Sequence, residues 1–182
     1  MGVLLRISGA IDRATAFIGK SVTWLILLSV LVSAANAMSR KLFSLSSNAW
    51  LELQWYLFAG AYLLAAAYTL QRNGHVRIDI ISNLLPKSVR NWTDLFGHAV
   101  MLLPFAVLMI HEIWPWFIES WRIGEVSANY GGLTIWPAKG LLLAGFFLLA
   151  IQAVSEIIKR IAIMQGRIAD SYEASEPTVP VE

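Results

Sequence analysis

The chain has 182 residues, of which 57% are hydrophobic and only 14% charged, and its net charge is +2. Soluble domains carry roughly 45–50% apolar and about 25% charged residues, so the composition excludes an ordinary soluble globule and points to lipid as the solvent. The small net charge, with no basic run, excludes nucleic-acid binding, and the lack of cysteine excludes disulfide, thiolate–metal and haem-thioether chemistry.

Residues 1–20 place Val3, Leu4, Ile7, Ala10, Ile11, Ala14, Phe17 and Ile18 at helical spacing, with Arg6, Asp12, Arg13 and Lys20 elsewhere. That pattern predicts an amphipathic helix lying in the membrane interface and leading into a first span. Ser21 to Ser39 is uncharged between Lys20 and Arg40, and Leu53 to Gln71 is uncharged between Glu52 and Arg72. Each stretch makes a helix of about 28 Å at about 1.5 Å per residue, close to the ~30 Å hydrocarbon core. A third apolar stretch begins at Leu95 and a fourth near Gly140, and both are expected to continue as helix past their apolar centres. Helix is required because lipid offers backbone groups no outside partner, and the stretches lack strand alternation.

The predicted fold is therefore an all-α membrane protein with four transmembrane helices, spanning about 21–39, 53–71, 95–118 and 137–158, and both termini cytoplasmic. Residues 1–167 form one transmembrane domain, and 168–182 a flexible acidic cytoplasmic tail. Ala35-Asn36-Ala37 resembles a signal-peptidase site, but the long amphipathic segment before it predicts that the first span is retained. Asn36, strongly polar within that span, is expected to hydrogen-bond a neighbouring helix.

Orientation follows from the basic residues. Ten of the fourteen fall before span one, between spans two and three, or after span four; Arg40, Lys41, Arg122 and Lys139 fall on the other side. The richer side is expected in the cytoplasm. All eight tryptophans lie near span ends, six of them at the outer ends, as an aromatic belt would.

Little in the chain suggests catalysis. His75, His98 and His111 fall at different depths, so no haem or metal site is expected, and no cofactor is predicted. The span centres carry no ionisable group of the kind a proton-coupled carrier needs. Glu52 lies at the outer border, where Arg40 or Lys41 is in reach of an ion pair. Small residues at Ser29, Ser33 and Ala37, and at Ala61 and Ala65, offer faces for close helix contact. The densest polar cluster, Gln71 to Asp79, reads either as a basic anchor at lipid headgroups or as a docking surface. The outer stretch Val126 to Lys139 is apolar and rich in turn formers. Gly131-Gly132 breaks any helix there, and Pro137 suits the first turn of span four. Such a loop is expected to pack against protein or headgroups.

Taken together, Trp50-Leu51-Glu52-Leu53-Gln54, then Arg72-Asn73-Gly74-His75-Val76-Arg77-Ile78-Asp79, with Arg40 after span one, resemble the small permease (DctQ-like) subunit of tripartite ATP-independent periplasmic (TRAP) transporters. Glu125-Val126-Ser127, Gly131-Gly132-Leu133, Trp136-Pro137-Ala138-Lys139 and Gln152-Ala153-Val154-Ser155-Glu156 resemble the branch labelled for 2-oxoacids, mannitol or chloroaromatic compounds. The resemblance covers about residues 10–165. It implies a bacterial inner-membrane subunit that serves as a static scaffold for a large permease subunit in sodium-driven uptake of an organic acid. A periplasmic substrate-binding protein delivers the cargo, and membrane lipids surround the frame. It also implies structural or interfacial roles for Arg40, Glu52, Arg72, His75, Arg77 and Asp79. The outer loop with Glu125, Gly131, Gly132, Trp136, Pro137 and Lys139 is placed to contact a partner. A four-helix membrane anchor for a redox enzyme and a self-sufficient homodimeric transporter remain as alternatives.

Overall fold

The computed structural model describes residues 2–45, 47–72 and 86–168. His75, Arg77 and Asp79, and the tail after Ile168, lie outside the described residues. The elements are α1 (Gly2–Ser21), α2 (Thr23–Phe43), α3 (Asn48–Gln71), α4 (Lys87–Phe96), a π-helical turn (Gly97–Leu102), α5 (Leu103–Ile123) and α6 (Trp136–Met164). Among the described residues there is no strand beyond the single bridge between Val126 and Thr134.

Three helical runs are long and apolar enough to cross a membrane: Gly2–Phe43, Lys87–Ile123 and Trp136–Met164. The second of these starts well before Leu95, where the apolar stretch begins, because the polar segment Lys87–Asp94 is also helical. The second expected span, α3, has 24 residues, about 36 Å of helix. It does not rank with the other three because Gln54, Trp55, Tyr56, Tyr62 and Tyr68 dilute its apolar character.

Helix α6 is the centre of the bundle, with α3 and α5 against its length and α1 and α4 against its C-terminal part; α2 packs on α3. Close approach explains the tight pairing of α3 with α6. A methyl group at Gly145 would sit 2.9 Å from the Leu63 Cβ and 3.1 Å from its carbonyl oxygen, so only glycine allows this backbone spacing. The polar link from α2 to α3 is made by Ser29, whose hydroxyl donates to the Gln54 carbonyl at 3.1 Å. Asn36 is also buried.

The π turn has a local cause. Pro104 cannot donate, and its ring would press on the carbonyl one turn back. The Leu103 amide instead reaches the His98 carbonyl, five residues earlier, and the helix widens by one residue.

The surface is that of a protein solvated by lipid. Trp24, Trp55, Trp92, Trp114 and Trp121 are exposed, as are Leu27, Leu28, Val30 and Leu31 of α2 and Phe105, Val107 and Leu108 of α5. In water such a surface would be a severe aggregation hazard; in a bilayer it is the expected outside.

Candidate functional site, a loop held by Glu52

Residues 125–135 join α5 to α6 in a compact hairpin-like loop. The Ser127 amide donates to the Leu133 carbonyl at 2.9 Å and the Ile135 amide to the Glu125 carbonyl at 2.8 Å. Gly131 turns the chain with a φ of +68°, a left-handed conformation that favours glycine. Gly124, also left-handed at +61°, ends α5, with the Glu125 amide reaching back to the Ser120 carbonyl.

One face of α3 grips this loop. Asn48, Glu52 and Tyr56 are spaced four residues apart, so their side chains stack along one side of the helix. The Asn48 amide donates to the Tyr130 carbonyl at 2.9 Å, and the Tyr56 hydroxyl to the Thr134 carbonyl at 3.3 Å. Between them, Glu52 accepts from the Ser127 hydroxyl, from Asn129 Nδ2 at 2.9 Å and from the Leu133 amide at 2.6 Å. The residue is only 6% exposed. Gly132 lies directly against it: an added methyl would come within 2.6 Å of the Ser127 Cβ and 2.8 Å of both carboxylate oxygens.

These bonds favour the charged form of Glu52, which lies just before the uncharged stretch that begins at Leu53. The Ser127 hydroxyl, the Asn129 amide and the Leu133 amide hold its carboxyl below the ordinary value of 4.5. Expecting Arg40 or Lys41 as its partner was incorrect. Arg40 is exposed near the end of α2, and Glu52 is satisfied by neutral donors from the loop. A sequence-local ion pair gives way because three aligned donors compensate a buried carboxylate better than one flexible cation.

A second charge is buried beside the loop. Lys139, one turn into α6, is 5% exposed; it pairs with Glu125 and lies 4.1 Å from the centre of the Trp116 ring. Its hydrogen bond holds the Glu125 carboxyl below the ordinary range. The Trp136 ring meets Trp121 at 4.6 Å between centroids, and Pro137 occupies the first turn of α6, where no helical hydrogen bond is lost. Glu125, Gly131, Gly132, Trp136, Pro137 and Lys139 thus all belong to one assembly with Glu52. Arg72 is separate, at the far end of α3, with its Nε on the Tyr68 hydroxyl at 3.1 Å.

At that far end lies a polar cluster that sequence reasoning did not assemble. Asp12 of α1 accepts from Gln152 Nε2 and the Ser155 hydroxyl, each at 2.9 Å, and pairs with Lys159 at 3.0 Å. Glu156 bonds both Gln152 and Lys159. Gln71 donates to the Asp12 carbonyl at 3.0 Å, and Ser8 and Ser155 share a hydroxyl contact at 2.7 Å. Arg160 extends the network to α4, binding Asp94 at 2.8 Å and Asn91 at 2.9 Å. The signal was present: Gln152, Ser155, Glu156 and Lys159 form a polar i, i+3, i+4, i+7 stripe at the end of an apolar helix.

Neither site is arranged for catalysis. Among the described residues no group of three or more His, Asp or Glu side chains is placed to hold a metal, His98 bonds its own helix at the Asp94 carbonyl, and His111 is exposed. What the geometry provides is a helical bundle with a hydrogen-bonded loop at one end.

The family model for tripartite ATP-independent periplasmic transporters, DctQ component, matches residues 29–162, most of the chain and all of the loop assembly. No curated protein and no solved structure matched. The chain belongs to the DctQ component family of tripartite ATP-independent periplasmic transporters, a family of transporter components and not of enzymes.

Proposed function

We propose that this protein is the static small subunit of a sodium-driven, binding-protein-dependent uptake system for an organic acid in a bacterial inner membrane. In the family's general arrangement a DctQ component works with a large permease and a periplasmic binding protein. The observation that carries the static role is the distribution of charge. Ser21–Ser39, Leu53–Gln71, Leu95–Ile110 and Gly140–Ser155 contain no Asp, Glu, Lys or Arg, while the buried charges Glu52 and Lys139 are both spent on holding the loop. Carriers keep ionisable groups at mid-membrane to bind cargo and coupling ions. This chain keeps them at its ends, as a scaffold would.

In this reading α3 crosses as well, making four crossings, and both termini are cytoplasmic because ten of the fourteen basic residues then fall inside. α1 lies in the plane of the cytoplasmic interface. Ser8 and Asp12, one turn apart on α1, both meet Ser155 of α6, so α1 crosses α6 instead of running along it. The clamped loop then faces the periplasm, where it presents the 97%-exposed Tyr130 to the large subunit or the docked binding protein. The 2-oxoacid, mannitol or chloroaromatic branch remains our assignment of substrate class.

Co-purification tests the proposal. A tagged chain extracted in mild detergent should bring down a much larger hydrophobic subunit in fixed ratio. A lone monodisperse species that transports after reconstitution would overturn it.

A further inference from the structure

Helix α1 has three faces, not two. Ser8, Asp12, Thr15 and Gly19 recur at i, i+4, i+7, i+11 and turn toward the bundle: Ser8, Thr15 and Gly19 are buried, and Asp12 is taken up by α6. Val3, Ile7 and Phe17 lie on the opposite side and are 69%, 48% and 74% exposed. Between these faces runs a third line. Arg6, Arg13 and Lys20 are seven residues apart, which keeps them within about 40° of one another around a helix of 3.6 residues per turn, and all three are exposed. Arg13 uses its Nε on the Gly9 carbonyl; among the described residues no carboxylate pairs with any of the three. Asp12, the acidic residue of this helix, is turned away and held by Lys159.

The line ends in a concavity. Lys20, Thr23, Trp24 and Leu27, again at i, i+3, i+4 and i+7, line an open groove of about 370 Å³ where α1 meets α2. An ammonium, a hydroxyl and an indole N–H are donors suited to phosphate oxygens. Leu27, with exposed Leu31 a further turn along, continues the groove as an apolar track down α2.

We propose that the Arg6–Arg13–Lys20 line, with its groove at Lys20, Thr23 and Trp24, is a binding site for anionic phospholipid, headgroup phosphate at the donors and acyl chain along Leu27 and Leu31. Charge complementarity selects this occupant. Three aligned cations beside an apolar helix face sit at the depth where basic side chains snorkel to lipid phosphates. An apolar partner helix would leave the cations unpaired, and a free anion would leave the apolar track uncovered. The inference rests on the in-plane placement of α1 but not on any transporter partner.

The test uses the full chain alone, reconstituted in bilayers of phosphatidylcholine, with spin-labelled phosphatidylglycerol or phosphatidylcholine added in trace amounts. Phosphatidylglycerol should associate at least about fivefold more strongly than phosphatidylcholine, the size expected of one basic contact. The preference should fall to near unity in the triple variant R6Q, R13Q, K20Q and persist in R6K, R13K, K20R, which keeps the charge. Thermal unfolding of each variant in detergent separates loss of the site from loss of the fold. Equal association of both lipids with the unaltered chain, or a preference unchanged in a folded glutamine variant, would overturn the proposal. Failure of the chain to co-purify with a large subunit would leave this result untouched.

Discussion

A carboxylate organises each end of the bundle, and the two do so differently. Glu52 takes three neutral donors, all from one loop, and among the described residues no counter-charge. Asp12 sits in a shared network in which Glu156 also bonds Gln152 and Lys159, Ser155 also bonds Ser8, and Gln71 adds a further contact. Three of the loop's hydrogen bonds therefore converge on one acceptor, with Asn48 and Tyr56 adding one each, while the α1 end is spread over more groups. A buried acceptor set with one centre fails when that centre is removed, whereas a network loses one member and keeps the rest.

That contrast orders the expected effects. Glu52→Ala strips the loop of its common acceptor and leaves the Asn129 side chain and the Leu133 amide without their partner. Amide exchange across 126–134 should accelerate by at least about tenfold, the size expected when hydrogen bonds to a charged group are lost. Glu52→Gln, which keeps shape but loses charge, should fall between. Gly132→Ala leaves every hydrogen-bonding group in place but pushes a methyl into Ser127 and the Glu52 carboxylate. Its destabilisation should be about 1–3 kcal/mol, the usual cost of overpacking, read as a lowered thermal midpoint in detergent.

The pH dependence carries a definite sign. Glu52 and Glu125 both titrate lower in the folded state than the ordinary 4.5. Their contribution is fully present above that value and is lost as pH falls through the depressed native values. Loop protection measured by exchange should be flat from neutral pH down to the ordinary carboxylate range and decline below it. The decline should shrink in Glu52→Gln, leaving the part that belongs to Glu125. Smallest is Asp12→Asn, where Lys159 retains Glu156 and α1 retains its Ser8 contact. The expected cost is about 1 kcal/mol, seen as faster exchange confined to α1. A larger effect at Asp12 than at Glu52 would reverse the comparison.

Much of the fold was legible because membrane helices are written in one-dimensional terms. The uncharged stretch from Leu53 to Gln71 lies within one helix, and that from Ser21 to Ser39 within a helical run interrupted at Val22. Gly131-Gly132 and Pro137 marked the turn and the start of α6. The partners of the buried charges were not legible. Glu52 is 75 to 81 residues from its donors and Asp12 is 140 to 147 from its side-chain partners; no local spacing announces such pairs. Nor did the apolar pattern of α1 announce which face packs: it is the small and polar stripe through Ser8 and Thr15, while Val3, Ile7 and Phe17 stay exposed. In a membrane protein the interior can be the more polar side.

The central claim is that the loop and α3 form a frame that stays fixed while a partner moves. Because the chain has no cysteine, thiols introduced at Tyr56 and Thr134, whose side chain and carbonyl meet at 3.3 Å, can be joined by a short thiol-reactive cross-linker in the assembled transporter. Uptake into vesicles should be the same before and after cross-linking. Uptake abolished by the cross-link and restored by a cleavable linker's reduction would contradict the account.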